Sequence, residues 1–205
     1  MISVVCPTYL PNVVYFAWMC SQKKVSFISN SHFQKQTFRS RTSIYGSNGK
    51  LNLTIPIVHK KEKDYLLENR VEIAYNEAWQ KQHWNSICSC YGSSPYFEYY
   101  ETDYSSFYHE RITHLFSLNL KIIKKTMQLL EIPFNFNIVE WNDQKMERMD
   151  DLINSKKIPQ INQTRYNQVF ENKMGFIPNL NILDVIFNLG PNASEYIKKA
   201  NYKSS

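Results

Sequence analysis

Three short apolar runs within the first thirty residues constrain this chain more than anything that follows. Ile2–Cys6 reads as a buried strand, Pro11 and Asn12 open a helical run over Val13–Cys20, and Val25–Ser29 reads as a second strand. Short β-branched runs bounded by turn residues suit buried strands, and Asn before an apolar run is a helix-start signal. Parallel pairing of the two strands makes this a βαβ unit and directs the chain to an α/β fold.

The next segment adds a β-hairpin. Asn48-Gly49 accepts positive φ at both central positions of a two-residue turn, which places Ser47 opposite Lys50, Tyr45 opposite Asn52, Ser43 opposite Thr54 and Arg41 opposite Pro56. Ile44, Leu51, Leu53, Ile55 and Ile57 then share the apolar face, while Lys35, Arg39, Arg41 and Tyr45 line the polar face if the strand reaches back that far. Val71, Ile73 and Tyr75 alternate as a third strand would.

From Ala78 onward the apolar period changes to that of helices. Trp79, His83 and Ile87 fall on one face of a helix ended by Gly92, Pro95 starts a second helix, and a third runs from about Arg111 to Leu130. Ile138–Trp141 reads as a strand. Residues 142–175 lose both period and apolar content, as a surface excursion or flap would. Helices over Leu180–Leu189 and Ala193–Ala200 close the chain around Gly190-Pro191. The expected architecture is a single α/β domain over 1–205: a mixed sheet with an N-terminal strand-helix-strand unit and a β-hairpin, packed against several α-helices.

Composition removes several function classes. Five glycines in 205 residues, with no GxGxxG or GxxxxGK[ST], nearly exclude the glycine-rich phosphate cradles, and the sequence names no cofactor. His32, His59, His109 and His114 lack ligand spacing and no zinc pattern of cysteines occurs, so no metal is expected. The longest strongly apolar run, Val13–Cys20, is far short of the ~18 residues of a membrane span, and no basic start precedes it as in a secretory leader. With four cysteines that suggest free thiols, the expectation is a cytoplasmic protein without a transmembrane segment.

The net charge of +6 hides unlike parts: residues 1–63 carry +8, 64–110 carry −6 and 111–205 carry +4. A basic first third suits nucleic acid, an anionic membrane or a phosphorylated small molecule, and composition does not choose among them.

Several residues have chemistry to offer. Lys35, Arg39 and Arg41 form either a wet strand face or a site for phosphate or carboxylate. His83, between Trp79 and Trp84, is either a packed core histidine or an acid–base group in an aromatic cleft. Cys6 ends the first strand, where α/β proteins place ligands, although an apolar strand end favours an inert thiol. Glu98, Glu101 and Asp103 lie mostly between the helical rings of Tyr96–Glu110, as on the wet side of an amphipathic helix. Asp184 interrupts an apolar helix and needs a partner.

Four separated motifs resemble the WbqC-like family, in particular its short form from Bacteroidetes-type bacteria. They are Pro7-Thr8-Tyr9-Leu10-Pro11 with Tyr15-Phe16; Phe33 to Arg41 with Ile44; Trp79, His83-Trp84, Ile87 and Tyr91 leading to Pro95-Tyr96-Phe97; and Phe176 to Leu180 through Leu183-Asp184, Phe187-Asn188 and Gly190-Pro191. The likeness covers nearly the whole chain apart from about 142–163. It departs from the broader pattern at Val5-Cys6-Pro7-Thr8-Tyr9, where many relatives have His-Gln-Pro-x-Tyr, and in the shortness of the segment after Trp141.

The resemblance implies surface-polysaccharide (O-antigen type) biosynthesis. The resulting expectation is a protein that binds a phosphorylated or nucleotide-linked sugar and transfers a small acyl or aminoacyl group. Lys35, Arg39 and Arg41 would hold phosphates, Trp79 and Tyr91 would stack on a ring, and His83 and Asp184 would be catalytic. Tyr9, Tyr45 and Asn179 would complete the ligand site. The alternatives are a non-catalytic binding or scaffold subunit that meets other polysaccharide-assembly proteins and, third, a nucleic-acid-binding protein.

Overall fold

The opening unit folds as its pattern predicts. Strand β1 (Ile2–Val5) leads into helix α1 (Val13–Ser21) and strand β2 (Val25–Ile28), and β1 and β2 pair in parallel with Val4 opposite Ser26 and Val5 opposite Phe27. The computed structural model describes residues 1–58, 66–156 and 161–202. Helix α1 is apolar on every side and buries Val13 to Met19 without a break, as a helix inside a core must. Each fully buried large side chain there contributes about 1.5–3 kcal/mol.

The hairpin strands are β3 (Arg41–Gly46) and β4 (Gly49–Thr54), followed by helices α2 (Trp79–Tyr91), α3 (Phe97–His109) and α4 (Leu115–Leu129). Then come strands β5 (Phe136–Val139), β6 (Met146–Arg148) and β7 (Ile161–Asn162), helices α5 (Glu171–Met174), α6 (Ile182–Leu189) and α7 (Ala193–Lys199), and strand β8 (Asn201–Tyr202). The main sheet has the order β5-β2-β1-β6 and all its pairs are parallel. The fold is therefore α/β, with a parallel four-stranded sheet, an antiparallel hairpin and helices packed around them.

Four local expectations are corrected. The hairpin turns over Ser47-Asn48, with positive φ at Gly49 and none at Asn48, so Tyr45 faces Lys50, Ser43 faces Asn52 and Arg41 faces Thr54. The partners slip by two residues, which keeps the same residues together on each side of the hairpin, although Tyr45 of the expected wet side is buried and Leu51 of the expected apolar side is exposed. Strand β3 begins only at Arg41, and Gln36 bends the chain with φ 62, so no strand face unites Lys35, Arg39 and Arg41. Val71 and Ile73 are buried, but around them only the isolated bridges Ile57–Ile73 and Glu72–His114 form, in place of a third strand. The stretch 142–175, expected to leave the body, supplies edge strand β6 and buries Leu152, Ile153, Tyr166 and Gln168; of it, 157–160 lie outside the described residues.

Candidate functional site

In α/β proteins, ligands gather beyond the carboxyl ends of parallel strands. Here the chain leaving β1 runs through Cys6, Pro7 and Thr8, all buried, into a polar cluster. Its centre is Arg39, whose Nη1 donates to Glu68 Oε2 at 2.7 Å, with both side chains at 0% exposure. Arg39 Nε donates to Thr37 Oγ1 (3.1 Å), Nη1 also donates to the His32 carbonyl (3.1 Å), and the half-buried Phe33 ring covers the guanidinium at 5.1 Å. Cys6 Sγ lies 3.1 Å from Ser31 Oγ, and Asn119 on α4 donates to the carbonyls of Pro7 and Arg39.

Arg39 Nη2, Glu68 Oε1 and Asn119 Oδ1 are buried with no hydrogen-bond partner, and so is Thr8 Oγ1, next in the chain to Pro7, whose carbonyl Asn119 holds. Each such atom normally costs about 1–3 kcal/mol. Burial pushes the Cys6 thiol up to about 12, with the Glu68 charge adding to the effect, so it is no thiolate nucleophile at neutral pH. Burial also raises Glu68 to about 7, against the opposing pull of Arg39.

His83 belongs to a different network. Its Nδ1 lies 2.9 Å from the Tyr9 hydroxyl, which lies 2.8 Å from the Tyr108 hydroxyl, and the ring is also hydrogen-bonded to the Thr54 backbone. Burial holds the imidazole down to about 4. The ring is therefore neutral, and the arrangement assigns Nδ1 as acceptor from Tyr9 and the other nitrogen as donor to the Thr54 carbonyl. Trp79 packs edge-on at 5.1 Å, and its Nε1 is buried without a partner.

Asp184 anchors a third network. It is fully buried on α6, and its Oδ2 accepts from Tyr166 Oη at 2.5 Å and Gln168 Nε2 at 2.8 Å. The Tyr91 hydroxyl, which accepts from the Tyr45 N–H at 3.1 Å, also pulls on the carboxylate, too loosely to partner the orphaned Oδ1. Burial raises Asp184 to about 6 against these donors. Tyr45, expected on a wet face, is buried, with its hydroxyl 2.6 Å from the Gly175 carbonyl.

The remaining candidates stand apart. Lys35 is exposed, Arg41 is half-buried with an unpartnered Nε, and Asn179 takes a left-handed φ of 54 and accepts from the Val14 N–H. That last contact has a chemical consequence. The helix following the first strand of a βαβ unit is the usual phosphate seat, but the first N–H groups of α1 already donate to Leu180 O, Asn179 Oδ1 and Asn12 Oδ1.

Thus Tyr9, Trp79 and His83 meet, and so do Tyr45, Tyr91 and Asp184, whereas Arg39 is paired with Glu68, Lys35 is exposed and Arg41 is half-buried on β3 opposite Thr54. Sequence reasoning missed Glu68, Asn119, Tyr108, Tyr166 and Gln168. Glu68 sits in the unremarkable run Leu66-Leu67-Glu68-Asn69-Arg70, and only its distance from Arg39 marks it. Among the described residues, no group of three or more His, Cys, Asp or Glu could hold a metal ion, and no helix is long and apolar enough to cross a membrane.

The parallel four-stranded sheet with helices packed around it makes this an α/β protein. The profile of the WbqC-like protein family matches residues 6–157, three quarters of the chain, and the chain belongs to that family. The matched stretch contains Cys6, Arg39, Glu68, His83 and Asn119, while the motifs from Phe176 to Pro191 lie beyond it. Neither the curated proteins nor the solved structures give a match.

Proposed function

We propose that this protein is a sugar-binding component of surface-polysaccharide (O-antigen type) biosynthesis, with its ligand at the carboxyl end of the parallel sheet. The observation that carries the reading is the Arg39–Glu68 pair with unspent Nη2 and Oε1, together with unspent Thr8 Oγ1 where β1 ends and unspent Oδ1 of Asn119, which holds the Pro7 and Arg39 carbonyls. A guanidinium–carboxyl pair with a free donor and free acceptors complements hydroxyl groups, which both donate and accept. The sugar of a phosphorylated or nucleotide-linked sugar is therefore the recognised part in this reading, with the half-buried Phe33 ring over the guanidinium on the side nearest solvent.

Transfer of an acyl or aminoacyl group through His83 has less support. Both of its nitrogens are engaged, and its low pKa leaves it a weak base at neutral pH. The binding or scaffold role is the one the geometry favours.

A thermal-shift series tests this, because a ligand that binds only the native state raises apparent stability. Nucleotide sugars should raise the Tm, inorganic phosphate should not, and Thr8→Val should start from a higher Tm while responding less. An equal response to phosphate, or no response to any sugar, contradicts the reading.

A further inference from the structure

A cleft of about 620 Å³ lies away from the sheet between the C-terminal end of α4, the start of α3 and the junction of α6 with α7. It shares no residue with the cluster around Arg39. Tyr99 stands on its wall with 76% of its surface exposed, braced edge-to-face by Tyr100 at 4.7 Å. An exposed ring of this size on a concave wall offers a flat apolar platform for stacking.

The charges lining the same cleft are three. Glu195 is committed to Lys199 at 2.6 Å. Glu131 and Lys198 are both exposed, and among the described residues neither forms an ion pair with the other or with any third group. A carboxylate and an ammonium thus look into one cleft from separate walls. Glu131 follows the C-terminal end of α4, whose dipole adds negative character at that wall. Helices usually avoid an acid there, and the position also carries a left-handed φ of 52 that suits glycine better. Across the cleft, Gly190 lies so close to the Tyr96 ring that an added Cβ would meet it at 2.4 Å, so the α6–α7 wall cannot bear a side chain at this point.

We propose that this cleft binds a zwitterionic ligand of the α-amino-acid class, with a free ammonium at Glu131, a free carboxylate at Lys198 and its side chain on the Tyr99 ring. A simple cation is disfavoured by Lys198 and a simple anion by Glu131 and the α4 terminus. Only a ligand with both charges satisfies both walls.

The test is calorimetric titration of the full chain with a panel of free α-amino acids drawn from each side-chain class. Each is set beside its N-acetyl form, which keeps only the carboxylate, and its amide, which keeps only the ammonium. Binding of at least one free amino acid, with both singly charged forms about tenfold weaker or more, is expected; a factor of ten corresponds to ~1.4 kcal/mol. Glu131→Gln should then weaken the amino acid and its amide while sparing the N-acetyl form, and Lys198→Gln should weaken the amino acid and its N-acetyl form while sparing the amide. Both substitutions are on exposed side chains and leave the fold intact. Absence of binding by every amino acid overturns the proposal, as does equal binding of the derivatives or indifference to both substitutions.

Discussion

A guanidinium with no exposed surface persists in a protein core only because a carboxylate faces it, and for Arg39 that group is Glu68 at 2.7 Å. Removing one partner leaves the other charged and unsolvated, which typically destabilises by about 3–5 kcal/mol, whereas replacing both with apolar groups of similar size is often neutral. Glu68→Leu and Arg39→Met should each lower stability by that amount in denaturant melts, and the double variant should recover most of the loss. Additive losses would show that the pair does not act as a unit. His83 makes the complementary case. Its pKa, held near 4 against an ordinary 6.5, means the unfolded chain binds the proton more readily. Its contribution to stability is complete above about pH 6.5 and fades as pH falls toward 4, by up to about 3 kcal/mol. The slope should vanish in His83→Gln. Persistence of that slope would place the titrating group elsewhere.

Two elements end or join through side chains that work against local preference. Helix α4 closes with the Glu131 N–H donating to Gln128 O and the Ile132 N–H to Met127 O, the pairing that puts a left-handed residue just past a helix. Glycine fits that position best, so Glu131→Gly should stabilise the fold by ~1 kcal/mol, read as a higher Tm. An unchanged or lower Tm would mean that the carboxylate holds the helix end. At α6, Asp184 ties the segment carrying Tyr166 and Gln168 to the core. Its raised pKa of about 6 has the opposite sign to that of His83: the native state binds the proton more readily, so Asp184 destabilises increasingly as pH rises from about 4 to about 6. Asp184→Asn should remove this falling slope and keep a folded chain. Asp184→Ala should lose about 2–3 kcal/mol by orphaning both donors. Equal stability–pH curves for wild type and Asp184→Asn would refute the assignment.

At the scale of the whole molecule, legibility followed the range of the interactions. Strands β1 and β2, the hairpin, α1 and most helices were readable because 2.0- and 3.6-residue periods are local, and the grouping of residues on the two sides of the hairpin survived its shift in register, though not which of them are buried. The role of β6 was hidden, since Met146–Arg148 pairs with a strand more than 140 residues earlier in a stretch rich in polar residues. Arg39 was legible as chemically distinctive, but its meaning depends on Glu68, and nothing local couples the two. His83 and Trp79 were rightly expected to lie together, and Tyr9 completes their group, yet saturation of the imidazole is a tertiary fact.

The central claim is that hydroxyl groups, rather than phosphates, are recognised where β1 ends. The most direct test is a pair of calorimetric titrations, a nucleotide sugar and the same nucleotide without its sugar, run on wild type and on Thr8→Val. We predict that the nucleotide sugar binds at least tenfold more tightly than the bare nucleotide, and that Thr8→Val erases much of that difference while keeping the protein folded. Equal affinity for the two ligands, or an advantage of the sugar unaffected by Thr8→Val, would contradict the account.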